Sequence, residues 1–253
     1  MAPRVVITGA SSGLGHALAR HYAGRGATLG LIARRSQALE HFAAGLGVPA
    51  ACYEADVRQP GPLRAAAADF ISRFGAPDIV IANAGVSGGT LTERGDDFET
   101  VRAILETNVL GLAATFQPFI AAMRTAGTGR LVGIASVAGY RGLPGAGAYS
   151  ASKAAAIAYL EALRGELRST GIRVITVCPG FIATPMTARN PYHMPFMMQV
   201  DDAARRIARV IAGGRSYAVI PWQMAVVARL LRLLPNPVFD ATFSRRPHKP
   251  RGL

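Results

Sequence analysis

The sequence predicts an α/β fold: a doubly wound, mostly seven-stranded parallel sheet with helices on both faces. Three observations carry this. Short β-branched apolar runs alternate with longer stretches of helical apolar spacing. The runs are apolar at nearly every position rather than every second one, as a sheet buried on both faces requires. The connections are short, and no linker, repeat or low-complexity segment divides the chain. Residues 1–221 therefore read as one domain. Residues 222–253 read as an appended apolar helix and a basic tail.

The elements follow in order. Residues 4–8 (RVVIT) form a first strand. Residues 13–25 form a helix, with apolar positions at Leu14, Ala17, Leu18 and Tyr22, and Gly26 stops it. Residues 28–32 are a second strand, and Ser36 is suited to cap the helix after it. Residues 50–54 are a third strand, and Pro60 opens a helix to Phe74. Residues 78–82 (DIVIA) are a fourth strand, and 96–123 mostly one long helix. Residues 130–135 (RLVGIA) are a fifth strand, 149–169 a helix and 172–177 (IRVITV) a sixth strand. A helix at 201–212 leads to a seventh strand at 217–220. From Pro235 the composition of Pro, Arg and small residues predicts an irregular tail.

The totals narrow the function classes. Two cysteines, Cys52 and Cys178, make no disulfide framework. The first residues carry no leader pattern, and no run of 18 apolar residues occurs, so a cytoplasmic protein is expected. The uncharged stretch 107–123 contains Asn108, Gln117 and Pro118 and reads as a buried helix. The net charge of +13 invites a nucleic-acid reading, but its distribution argues against one. From Ala203 onward ten basic residues face only Asp240, so most of the surplus lies at that end. No basic stripe with base-reading or stacking groups is evident, and no nucleic-acid partner is expected.

The first strand runs into TGASSGLG at 8–15. Glycines at 9, 13 and 15 permit a tight turn and close approach to a ligand, and the following helix offers free N–H groups to a pyrophosphate. At the end of the second strand an acidic residue would bind a ribose 2′-OH. Here Arg34 and Arg35 stand there instead, and two guanidiniums suit a 2′-phosphate. The dinucleotide expected is NADP(H).

The stretch Tyr149-Ser150-Ala151-Ser152-Lys153 carries the chemistry. On a helix Tyr149 and Lys153 share one face. A free phenol titrates near about pH 10, and an adjacent ammonium is expected to lower that value toward useful proton transfer. Of 28 Lys and Arg residues only Lys153 and Lys249 are lysine, so position 153 reads as one that needs a compact ammonium.

Together these pieces resemble the short-chain dehydrogenase/reductase family in its single-domain form, over residues 4 to about 220. The resemblance rests on TGASSGLG at 8–15, Asp56-Val57, Asn83-Ala84-Gly85, Asn108, Ser136, Tyr149 with Lys153, and Pro179-Gly180 with Thr184. It implies a Rossmann fold with an NADP-binding catalytic domain. It implies that Thr8, Gly9, Ser11, Ser12, Gly13, Leu14 and Gly15 hold the phosphates, that Asp56 and Val57 meet the adenine, and that Asn83, Ala84 and Gly85 line the cofactor. Pro179, Gly180, Ile182 and Thr184 would border the nicotinamide. Ser136 would bind the substrate oxygen, Tyr149 pass the proton, Lys153 hold the nicotinamide ribose, and Asn108 support a proton path. The family often has two asparagines before Ala-Gly; here the first position is Ala82.

The activity implied is hydride transfer between NADP(H) and a carbonyl or alcohol. Alternatives are a 3-oxoacyl thioester reductase and a catalytically silent NADP(H)-binding regulator. Apolar residues around the expected substrate side, Val137, Tyr140, Phe181 and Met186 with Ser136 and Tyr149, point to a hydrophobic substrate. No metal cluster is evident. Alanines along 96–123 and 149–169 permit close helix approach, and a homodimer or homotetramer is expected. The segment 222–234, with Arg229 and Arg232 and then Arg245, Arg246, Lys249 and Arg251, suits weak peripheral contact with an anionic membrane.

Overall fold

The computed structural model describes residues 2–244 and 247–253; of Ser36 it describes the backbone only. The chain runs β1 (Arg4–Thr8), α1 (Gly13–Ala23), β2 (Thr28–Ala33), α2 (Ser36–Ala44), β3 (Ala50–Glu54), α3 (Pro60–Phe74), β4 (Ile79–Ala82), α4 (Phe98–Leu105), α5 (Gly111–Ala126) and β5 (Gly129–Ile134). It continues through α6 (Gly147–Glu166), β6 (Ile172–Pro179), α7 (Pro185–Ala188), α8 (Val200–Ala212), β7 (Tyr217–Ile220), α9 (Trp222–Leu233) and α10 (Asn236–Phe243).

All seven strands pair in parallel, in the order β3-β2-β1-β4-β5-β6-β7. The direction of winding reverses between β1 and β4, and an open α/β sheet places its ligand cleft at such a point. Strand residues alternate between two cores. Val5, Ile7, Leu29 and Leu31 face α1, α2 and α8. Val6, Ile32, Val80 and Leu131 face α3, α5 and α6. Phe70, Phe116 and Phe119 are the largest fully buried side chains of the second core. Burying each contributes roughly 1.5–3 kcal/mol.

The outer end of the switch point is tied by charge. Arg4 grips Asp78 through its backbone N–H at 2.8 Å and its guanidinium at 3.1 Å, fixing β1 against the start of β4. The cleft end is tied by Thr8. Its buried hydroxyl accepts from the N–H groups of Asn83 and Ala84 at 3.1 and 3.2 Å.

Two stretches differ from the sequence expectation. The helix expected at 96–123 is a 3₁₀ turn (Gly95–Asp97), α4, a π turn (Glu106–Leu110) and α5 in unbroken succession. By length and composition this run could cross a membrane; here it lies along the sheet and buries Ile104, Leu112, Phe116, Phe119 and Met123. The tail after Pro235 is not irregular at its start, because α10 occupies Asn236–Phe243 and buries Phe239. Arg141 explains this order. Its guanidinium donates to the carbonyls of Leu231 and Leu234 at 2.8 and 2.5 Å, donates to Asn236 Oδ1, and lies 4.1 Å from the centre of the Phe239 ring. The orphan carbonyls closing α9 are thereby satisfied. The Ser36 side chain, expected as a cap, and Arg245 and Arg246 lie outside the described residues.

Candidate active site

A cleft of about 290 Å³ opens at the carboxyl ends of β1 to β6. One end is built by the loop after β1. Gly9 and Gly13 have φ of +68° and +53°, a region that favours glycine. A Cβ on Gly15 would overlap the Gly9 carbonyl and lie 2.6 Å from Asn83 Nδ2, so only glycine lets α1 pack this close to the strand ends. The Ser12 side chain makes no cap bond, and the first turn of α1 holds no acidic residue. Its N–H groups face the cleft with their positive dipole uncompensated. Ser11, Ser12, Gly13 and Leu14 line this end with Gly9.

Arg34 and Arg35 line the wall beside it, exposed and without an ion pair among the described residues. Asp56 lies in the same wall. Its carboxylate is held by Arg58, with contacts of 2.6 to 3.1 Å, and its pKa is lowered first by that hydrogen bond. Arg58 was not singled out from the sequence; its position two residues after Asp56 was the available signal. Val57, Asn83, Ala84 and Gly85 complete the middle of the cleft.

The other end brings Ser136, Tyr149 and Lys153 together with Pro179, Gly180, Ile182, Thr184 and Met186. Ser136 follows β5, and its Oγ accepts from Ala138 N–H at 3.1 Å. Tyr149 and Lys153 share one face of α6. Lys153 Nζ donates to the carbonyl of Ile134 at 2.9 Å and lies 5.8 Å from the centre of the Tyr149 ring. Burial takes Lys153 down to about 8. Burial also pushes the Tyr149 phenol up, and a hydrogen bond with Ser136 draws it part of the way back. The lowering of the Tyr149 pKa expected from Lys153 is therefore corrected: desolvation of the phenolate is the largest influence and raises it, and the lowering influence comes from Ser136 rather than Lys153.

Thr8, Gly15 and Asn108 stand behind the cleft wall rather than in it. Asn108 sits in the π turn, 1% exposed. Its Oδ1 accepts from Val86 N–H, and its Nδ2 donates to Val86 O and Ser152 Oγ, at 2.9 to 3.0 Å. Both amide donors are thus engaged in holding the Val86 backbone against α6. Any link to a proton path runs through its remaining lone pair or its backbone.

The expected substrate residues divide. Met186 lines the cleft. Tyr140 turns away and accepts a hydrogen bond from Tyr217 at 2.8 Å. Phe181 packs edge-on against Tyr192, with ring centres 6.4 Å apart. Val137, in a 3₁₀ turn, also lies outside the cleft lining. Arg141 does not face the cleft; it caps the end of α9. Among the described residues no cluster could hold a metal ion.

A glycine-cradled loop at one end and a Ser-Tyr-Lys constellation at the other define a nicotinamide-dependent oxidoreductase site, and the residues present fit a dinucleotide along the cleft. The short chain dehydrogenase family model matches residues 3–194. The chain belongs to the short-chain dehydrogenase/reductase family. An uncharacterized oxidoreductase of Myxococcus xanthus is 42% identical over 243 residues, spanning 95% of this chain and 96% of that one. A solved short chain dehydrogenase from Burkholderia cenocepacia in complex with NADP is 27% identical, covers 97% of this chain and 98% of its own, and has a TM-score of 0.83. A family member from Burkholderia phymatum in complex with NAD is 26% identical, covers 99% of this chain and 98% of its own, and has a TM-score of 0.81.

Proposed function

We propose that this oxidoreductase is an NADP(H)-dependent carbonyl reductase acting on a largely hydrophobic small molecule in the cytoplasm. The carrying observation is the cleft itself, with Ser136, Tyr149 and Lys153 converging at one end and two exposed arginines, Arg34 and Arg35, beside the phosphate loop at the other. When bound, the nicotinamide supplies the hydride. The chain supplies orientation and a proton. Ser136 Oγ–H and Tyr149 Oη–H are the donors for the oxygen on which negative charge develops. A phenol held above its ordinary pKa stays protonated at neutral pH, so Tyr149 is poised to give a proton rather than take one. That favours reduction as the working direction. Lys153 would hold the nicotinamide ribose, and Asp56 and Val57 would border the adenine. A catalytically silent binder has less support, because no member of the Ser-Tyr-Lys set is displaced from the cleft.

The cofactor reading is tested by titrating the protein with NADPH and NADH. NADPH binds more tightly, and Arg34→Asp narrows that ratio about tenfold or more, as loss of a charge-assisted hydrogen bond predicts. A wild type that prefers NADH overturns it. A panel of aliphatic and cyclic ketones, followed by NADPH absorbance, tests the reaction.

A further inference from the structure

Lysine is the scarce cation of this chain, with two among 28 basic residues. The fold brings both to one ring. Lys153 Nζ lies 5.8 Å and Lys249 Nζ 5.9 Å from the centre of the Tyr149 ring. Lys249 arrives from the far end of the sequence, on residues 247–253, which reach Ser87, Gly89, Asp97 and the Tyr149 ring.

Specific contacts hold that segment in place. Gly89 N–H donates to the Pro250 carbonyl at 2.8 Å, and Gly252 N–H donates to the Gly89 carbonyl at 3.3 Å. Arg251 Nε contacts both oxygens of Asp97 at 3.0 Å, with Nη2 a further 2.9 Å contact, and Asp97 is buried. A Cβ on Gly88 would overlap the Gly252 carbonyl, and one on Gly89 the Lys249 carbonyl, so this glycine pair is shaped to receive the segment.

The surroundings of the Lys249 ammonium are unusual. Its hydrogen-bond partner is neutral, Ser87 Oγ at 2.8 Å. Among the described residues no carboxylate pairs with it, and the charge that acts on it is a second cation, Arg189. The side chain is half-buried. Burial and Arg189 both hold its pKa below the ordinary lysine value. A partly desolvated ammonium with donors to spare and a cationic neighbour is stabilised by an anion that the chain itself does not provide.

We propose that Lys249 is a specificity-determining residue that holds a carboxylate of the substrate, set a few bonds from the carbonyl presented to Tyr149. The substrate class is then an oxoacid whose apolar remainder lies along Val86 and Met186, both in the cleft wall. This deepens the carbonyl-reductase reading and rests on it.

Two measurements keep the two ideas separable. NADPH-loaded protein is titrated by calorimetry with hexanoate and with hexanamide, neither of which carries a reducible ketone. The wild type binds hexanoate about tenfold or more tightly than the amide, the worth of one charge-assisted hydrogen bond, and Lys249→Met loses that margin. Equal binding of the two by the wild type, or a margin that survives in Lys249→Met, overturns the proposal. Turnover of 3-oxobutanoate is then compared with turnover of its ethyl ester. The acid-to-ester ratio of kcat/KM falls about tenfold in Lys249→Met, chiefly through KM, and is partly restored in Lys249→Arg. If acid and ester fall together, Lys249 acts through Tyr149 and the proposal fails. If neither compound nor any ketone of the panel is reduced while the hexanoate margin holds, the anion site stands and the reductase reading falls.

Discussion

Tyr149 is useful only if its proton moves, and its neighbours decide how. Removing the hydroxyl in Tyr149→Phe leaves the ring and its packing but no proton donor. Turnover of any reducible ketone is expected to fall by at least about 10²–10⁴-fold, while NADPH affinity measured by fluorescence changes little. Near-normal turnover would remove Tyr149 from the proposed chemistry. Lys153 carries a pH signature of its own. Its folded value is depressed to about 8 by burial, so the ammonium is present below that pH and lost as pH rises through it. If the ammonium holds the nicotinamide ribose, NADPH affinity weakens as pH rises through about 8, and Lys153→Met abolishes that dependence. A flat pH profile in the wild type would show that the charge of Lys153 plays no part in binding. Scarcity of lysine drew attention to Lys153 from the sequence. The same scarcity applied to Lys249, but nothing local revealed that a residue 96 positions later would reach the same ring.

At the scale of elements, packing between sheet and helix decides where α6 holds that tyrosine. Gly133 of β5 faces Leu160 of α6, and a Cβ there would overlap the Leu160 side chain. Gly133→Ala therefore overpacks this layer. A cost of about 1–3 kcal/mol is expected, lowering Tm by about 2–10 °C in a chain of this size. An unchanged Tm in calorimetry would mean that Leu160 has room to move. The strands were legible in the sequence because a doubly buried strand must be apolar throughout, and β1, β2 and β4 are buried along nearly their whole length. The phosphate loop was legible because positive φ and close approach leave glycine as the residue that fits. The π turn at Glu106–Leu110 was not, since its residues have ordinary helical spacing. What accompanies it is the bonding of Asn108 to Val86 and Ser152, 22 and 44 positions away. The ordered tail was hidden for the same reason. Proline and arginine there suggested irregularity, while its anchors, Asp97 and Ser87, lie 154 and 162 positions earlier.

At the scale of the whole molecule, two of the exposed apolar surfaces among the described residues lie on helices. One comprises Phe98, Leu105 and Leu110, together with Tyr159 and the exposed alanines Ala151, Ala154 and Ala158 of α6. It suits the homodimer or homotetramer proposed from the alanine content, and light scattering at micromolar concentration is expected to give a mass of two or four chains. The other surface lies on α9. Trp222, Val226, Leu230 and Leu233 are exposed at helical spacing along one stripe, with the exposed Arg229 beside them. The same end of the chain carries most of the +13 net charge. We propose weak, salt-sensitive binding of this stripe to anionic bilayers, because apolar insertion and charge attraction act together there. Deleting α9 would be a poor test, since Met224 packs against Gly180 in the cleft wall and the deletion would disturb the site. Leu230→Glu with Leu233→Glu changes the outer stripe alone. Wild type is expected to sediment partly with anionic vesicles at low salt and much less at about 0.5 M, where the Debye length has shrunk to a few ångströms. The double variant stays in the supernatant at both. Neutral vesicles separate the contributions, since insertion alone would persist there and be insensitive to salt. A wild type that remains in the supernatant with every vesicle would remove the membrane from the account and leave the stripe as a second protein contact surface.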